Sequence, residues 1–398
     1  MKKRISVITL ISLIIGIIMG LILKGNVSKI EFLGTFYLDF LKFLITPILF
    51  TSISASIYDS SKNKSNFVVK TVILFVGMFL VSFVVSSIVV WIIDPAKGFV
   101  FVDAENGVQT TDIKISGIFL NLLPKDIKGF FTGKYLFFTI ILSYLVGVIS
   151  AKVKAETFIE AFKKVRDYLY QILGLLTYYT PIAVLSLMAV NTNKFGLATL
   201  LAGLKYIITA YTCGIVVLFL VMVIPLKYIC KLDLKELIRK IYPIWTMTLA
   251  TCSSAATLPY TIKLCKEELN VDSKITDIVV PLGCTIHMCG GAVSFSLLGL
   301  FCAKIFAVEV TLITYLYMIL IAVLLNMSAP GIPNGGVVIG ATYLEMLGIP
   351  LSFMGLYAGI YKILDMLYTT LNVTGDISAN LILNSTMKPK EKGVYEMK

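Results

Sequence analysis

The chain has 398 residues, of which 58% are hydrophobic and only 15% charged. That composition excludes a soluble globular domain, and several apolar runs reach the roughly 20 residues that a membrane helix needs. The formal net charge of +12 does not point to nucleic acid, because the lysines lie between apolar runs, as the positive-inside rule places them, and not on a basic face.

The first run, residues 5–23, follows Lys2, Lys3 and Arg4. It is longer than a signal-peptide core and lacks a small-residue cleavage site, so it reads as a spanning helix. Residues 31–57 form a second span, with Pro47 inside it. Residues 67–93 form a third, ending at Asp94-Pro95. From there to about Lys134 the chain is polar and least membrane-like. Residues 135–150 belong to a fourth span, and Lys152, Lys154, Lys163, Lys164 and Arg166 then form a basic loop. Residues 168–190 and 201–225 are the fifth and sixth spans, and a second basic loop carries Lys227 to Lys240. With the N-terminus inside, the basic loops after spans two, four and six and the lysine-rich tail all fall on the cytoplasmic side of a cytoplasmic membrane.

The pattern changes after Lys240. Residues 241–260 end in TCSSAATLP, residues 275–306 are interrupted by PLGCTIHMCGGA, and residues 310–349 are broken at NMSAPGIPNGG. Backbone freed by glycine and proline survives at membrane depth only where it is buried in protein or lines a wet cavity. Paired breaks of this kind point to the binding site of a transporter built from inverted repeats. The units here are 241–266 with 275–306 and 310–349 with 350–387, each a re-entrant hairpin followed by a broken helix. The seven cysteines lie in the second half, mostly in apolar sequence, and read as free thiols. There is no GxxxxGK[ST] loop for ATP, no nucleophile–base pair for an enzyme and no sign of an organic cofactor.

Residues 355–384 are apolar and long enough to span, yet carry Asp365, Thr369, Asn372 and Asp376 at spacings of 4, 3 and 4. On a helix these share one face. An acid at membrane depth marks a functional site by default. Gly375 could break this helix and leave Asp376 in water, but Asp365 lies too deep for that account.

Several of these stretches resemble the dicarboxylate/amino acid:cation symporters, the family of glutamate and aspartate transporters. FLKFLITPILF looks like the family's second span, TCSSAATLP like the tip of its first hairpin, and GIP at 331–333 like the second tip. PLGCTIHMCGGA matches the frame of PLGATINMDGTA, and ILDMLYTTLNVTGD is close to ILDMGRTMVNVTGD. The resemblance implies an all-α polytopic membrane protein with eight transmembrane helices and two re-entrant hairpins. It also implies a homotrimer with an elevator mechanism. Residues 1–66 and 94–190 would be scaffold (spans 1–2 and 4–5), and 67–93 and 191–398 the transport domain.

By the same resemblance, Asp365 would hold a substrate ammonium, and Asn372, Thr369, Ser253, Ser254, Gly331 and Ile332 would surround its α-carboxylate. The arginine that binds a second carboxylate in acidic-substrate members is Tyr368 here, and the threonine ending the seventh-span motif is Gly291. A desolvated second carboxylate without its guanidinium would cost several kcal/mol, so a neutral amino acid is expected, with Gly291 adding room. The alternative, an arginine from elsewhere, is disfavoured because Arg4, Arg166 and Arg239 all lie outside the apolar runs.

The cation positions also depart from the family. The motif's sodium-binding aspartate is Cys289, its asparagine is His287, and Met78 and Val81 replace third-span oxygen donors, although Ser82 remains. Sodium prefers hard oxygen ligands, which a thiol or thioether does not supply. Asp376 is retained where Na+ is bound with backbone near Gly283, His287 and Asn372, and a further site would lie near Thr285. His287, the only histidine, is either a drifted asparagine acting through its backbone or a proton carrier. The expectation is Na+-coupled symport of a neutral amino acid. Its alternatives are H+ coupling or exchange through His287, transport of an acidic amino acid or dicarboxylate, and an uncoupled sensor or anion conductor.

Overall fold

A computed structural model of the protein describes residues 2–23, 27–62, 66–99, 136–195, 198–327 and 335–387. All regular structure among them is helical. Helices α1 (Lys2–Leu23), α2 (Ser28–Lys62), α3 (Asn66–Ile93) and α4 (Leu136–Lys152) come first. α5 spans Glu156–Phe195, and α6 spans Ala198–Val217 and runs on through a wider π turn to Tyr228. α7 (Leu234–Thr251) and α8 (Ser254–Lys263) form one helical pair, and α9 (Ser273–Ile286) and α10 (Cys289–Ile305) another. α11 (Leu312–Asn326), α12 (Gly335–Met346) and α13 (Met354–Met387) complete the chain. Among the described residues, three helical stretches are long and apolar enough to cross a membrane: Val68–Ile93, Leu201–Tyr228 and Ser273–Ile305.

α5 packs most heavily on α1 and α2, and α2 also on α4, whereas α13 packs on α5 through α10 and on α12. The α9–α10 stretch is almost wholly buried, so it is the centre of its group. The polar segment expected after Asp94 is described only as far as Phe99.

Both basic loops are partly helical, contrary to expectation. Lys163, Lys164 and Arg166 lie in the first turns of α5, where Lys163 bridges Asp59 at 3.0 Å and Glu160 at 3.1 Å. Lys235, Arg239 and Lys240 lie in α7, whose N-cap Asp233 accepts from the Lys235 N–H and whose Glu236 pairs with Lys240. Capping and i,i+4 charge pairs make helix out of segments that hydropathy alone marks as connections.

The first two breaks in the second half are short. α7 ends on Cys252, held in the left-handed region (φ 49°, ψ 43°) with its N–H on the Thr248 carbonyl at 2.8 Å. A non-glycine residue there is uncommon and is found where surrounding structure over-determines it. Ser253 is extended and caps α8, its hydroxyl accepting from the Ala256 N–H. The pair is tied to α13 by Trp245 Nε1 donating to Thr374 Oγ1 at 2.9 Å and by Thr248–Thr370 hydroxyls at 2.8 Å. α9 and α10 are separated by two non-helical residues, the extended His287 and Met288.

α13 does not break at Gly375. It continues 12 residues further, to Met387, so Asp376 stays buried. A Cβ at Gly375 would stand 2.7 Å from His287 Cε1. The glycine is there for close approach of that ring, not for a bend.

Candidate binding and coupling site

A cavity of about 60 Å³ lies between α13, α10, the α7–α8 tip and the α11–α12 pair. At roughly 10–15 Å³ per water-sized group it has room for a small molecule. Asp365, Tyr368, Thr369, Asn372, Gly291 and Ser254 all line it. Gly331 and Ile332 lie outside the described residues. Ser253 is not in the wall; its hydroxyl is spent on the α8 cap.

The polar groups in the wall have defined directions. Asp365 is buried and accepts from the Thr369 hydroxyl, one turn away, at 3.2 Å. Asn372 Oδ1 accepts from the Gly290 N–H at 2.8 Å. Because that partner can only donate, the Asn372 amide must keep its NH₂ for another acceptor. An acceptor-rich carboxylate and a donor amide thus stand two helical turns apart, about 10 Å along the axis. Two hydrogen bonds of about 2.8 Å with an α-amino acid between them fit that span.

The other end of the cavity differs from expectation. Gly291 does not simply add room: a Cβ there would lie 2.6 Å from Asn326 Oδ1. The Asn326 side chain takes the space that the absent side chain frees. Tyr368, where a guanidinium would stand, is buried with Tyr206 and Ser294 beside its hydroxyl. Tyr361 also lines the wall, together with Cys252, Met288 and Ser294. Asn326 escaped the sequence reading, although a polar residue closing the apolar run VLLN just before a hairpin break was a usable signal.

One turn beyond Asn372, Asp376 meets His287. The His287 Nδ1 lies 2.8 Å from Asp376 Oδ1, and its Nε2 lies 3.1 Å from Cys289 Sγ. The Phe75 ring from α3 stacks on the imidazole at 4.4 Å and 11°. One assignment that satisfies a neutral ring has Cys289 S–H donating to Nε2 and Nδ1–H donating to the carboxylate. The same carboxylate lies against Gly283, near the end of α9, where a Cβ would overlap its Oδ1. A carboxylate next to the last carbonyls of a helix fits one hard cation.

Among the described residues, the third-span positions and Cys289 do not assemble a second set of oxygen ligands. Val81 is exposed, Ser82 donates to the Met78 carbonyl at 2.7 Å, and Met78 and Cys289 offer sulfur. The Thr285 hydroxyl donates to the Leu282 carbonyl at 2.8 Å, and the second hairpin tip that would complete a backbone site beside it lies outside the described residues. The tight crossing that brings these groups together is set at Gly290, where a Cβ would overlap the Tyr368 backbone carbonyl. Gly290→Ala is expected to destabilise the protein by about 1–3 kcal/mol through overpacking, read as a lowered unfolding temperature in detergent; an unchanged temperature would mean the crossing relaxes freely.

A model of the sodium:dicarboxylate symporter family matches residues 5–386. The chain is similar to a proton/sodium-glutamate symport protein of Bacillus caldotenax, 26% identical over 94% of this chain and 92% of the relative. It is also similar to a proton/glutamate-aspartate symporter of Escherichia coli (strain K12), 23% identical over 94% and 91%. A C4-dicarboxylate transport protein of Bacillus subtilis (strain 168) is 25% identical over 96% and 93%. With nearly its whole length matched and a buried acid–amide stripe at its centre, the chain belongs to the sodium:dicarboxylate symporter family, a family of membrane transporters and not of enzymes.

Proposed function

We propose that the protein carries a neutral amino acid across the cytoplasmic membrane, coupled to Na+ held at Asp376. The observation that carries the substrate reading is the 60 Å³ cavity with Asp365 and the Asn372 amide in one wall and no Lys or Arg among its described lining residues. Asp365, with the Thr369 hydroxyl on it, pairs with the substrate ammonium, and Asn372 and Ser254 offer donors to its carboxylate. The named relatives carry glutamate, aspartate or C4-dicarboxylates. In this chain Tyr368 stands at the end where a second carboxylate would need a cation, and burying it unpaired costs several kcal/mol.

Asp376, with backbone near Gly283, His287 and Asn372, would hold the Na+, which supplies the positive charge that neutralises the buried carboxylate. A second reading is favoured by the 2.8 Å contact of His287 with Asp376: a proton on the imidazole would supply that charge instead. The wider frame of the proposal is eight spans with two hairpins, both termini cytoplasmic, a homotrimer, and an elevator movement of α3 with α6–α13 against α1, α2, α4 and α5.

The test is uptake into proteoliposomes at clamped pH, comparing labelled neutral amino acids with aspartate under an inward Na+ gradient. Neutral uptake that collapses without Na+ is expected. Aspartate outrunning every neutral substrate would sink the substrate reading. Neutral uptake driven by a pH gradient and indifferent to Na+ would move the coupling to His287.

A further inference from the structure

The polar atoms around the cavity are mostly accounted for within the protein. Thr369 donates to Asp365, Gly290 donates to Asn372, and the Ser294 hydroxyl pairs with Tyr357 at 2.8 Å. Two groups in the wall are exceptions: the Tyr368 hydroxyl, which has Tyr206 and Ser294 beside it, and Asn326. Asn326 is 3% exposed and lines the cavity, and its Oδ1 has no hydrogen-bond partner among the described residues. Its Nδ2 donates to the carbonyl of Ile286, the last residue of α9, at 3.2 Å. A carbonyl cannot accept from Oδ1, so the amide cannot be turned round without losing that bond. The acceptor oxygen is therefore held toward the Gly291 side of the cavity, 2.6 Å from where a Cβ at 291 would stand.

A buried acceptor left unpaired is costly, and a site that contains one discriminates strongly in favour of ligands that satisfy it. We propose that Asn326 is the specificity-determining residue at the side-chain end of the site, accepting a hydrogen bond from a donor on the substrate side chain. The substrate class is then a small neutral amino acid with a side-chain hydroxyl. This deepens the reading of a neutral amino acid substrate and rests on it. Gly291 belongs to the same device, because any larger residue there would push the Asn326 amide out of place. The small cavity accommodates a hydroxyl carried on one or two carbons more readily than a longer amide side chain.

The experiment compares pairs that differ by the hydroxyl, serine with alanine and threonine with valine, as competitors of labelled uptake in proteoliposomes. In the wild-type protein the hydroxylated member of each pair is expected to bind roughly 5- to 150-fold more tightly. Asn326→Leu, similar in shape but without the acceptor, should bring both ratios close to unity. Because that change also uncaps α9 and could impair folding, Gly291→Ala provides a second route. It keeps the Asn326 side chain and its Nδ2 donor while crowding Oδ1, and should reduce both ratios as well. The readout is the ratio within each pair, which a general loss of transport does not move. Ratios within threefold of unity in the wild type, or ratios kept by both variants, would overturn the assignment. Aspartate, run in parallel, separates failure of the neutral-substrate reading from failure of the Asn326 role.

Discussion

Asp365→Asn is expected to abolish measurable substrate binding while leaving the protein folded. The side chain is buried, and its carboxylate supplies the negative charge in the cavity wall that a substrate ammonium needs. Removing one member of a buried ion pair costs on the order of 3–5 kcal/mol, more than a hundredfold in affinity. Asparagine keeps the volume and can still accept from Thr369, so α13 should be undisturbed. The measurement is substrate-induced stabilisation of the purified protein: the wild type shifts its unfolding temperature upward with ligand and the variant does not. A variant that retains the shift would remove Asp365 from the binding site.

The second large effect is at the His287–Asp376 contact. Asp376→Asn should eliminate Na+ stimulation of uptake, because the amide retains no charge for a cation to balance. His287→Ala should be severe for a different reason, leaving a buried carboxylate without its imidazole donor, again of order 3–5 kcal/mol. The two changes share one interaction, so the double variant should lose less than the sum of the single ones. His287→Asn separates the coupling schemes. Its amide nitrogen can stand near the Nδ1 position and donate to Asp376, so Na+-driven uptake should survive in this variant. If uptake instead loses its response to the ion gradient while substrate binding remains, the proton on His287 was the coupling charge. Both outcomes are read from initial uptake rates with Na+ and pH gradients imposed separately.

The polar face that lines the cavity was largely legible before the fold was known. Helical periodicity alone places Asp365, Thr369, Asn372 and Asp376 on one face, and the structure lines the cavity with the first three and buries the fourth. The capping role of Ser253 and the outward position of Val81 were not legible. Both depend on where a hairpin tip turns and on how α3 is rotated against its neighbours. The basic segments at 152–166 and 227–240 misled for a simpler reason: positive charge marks the end of a membrane run, but does not stop a helix.

The amino-acid sequence by itself determined that this is a membrane transporter. Long apolar runs, breaks at glycine and proline, and the order of the motifs all follow from residues close in the chain. Tertiary structure decided what the substituted positions do. Gly291 yields its space to Asn326, Gly375 admits the His287 ring, and His287 contacts an acid 89 residues away while stacking on Phe75. Such pairings depend on the volume left where three helices cross at close-packed density, and local spacing carries no record of that volume.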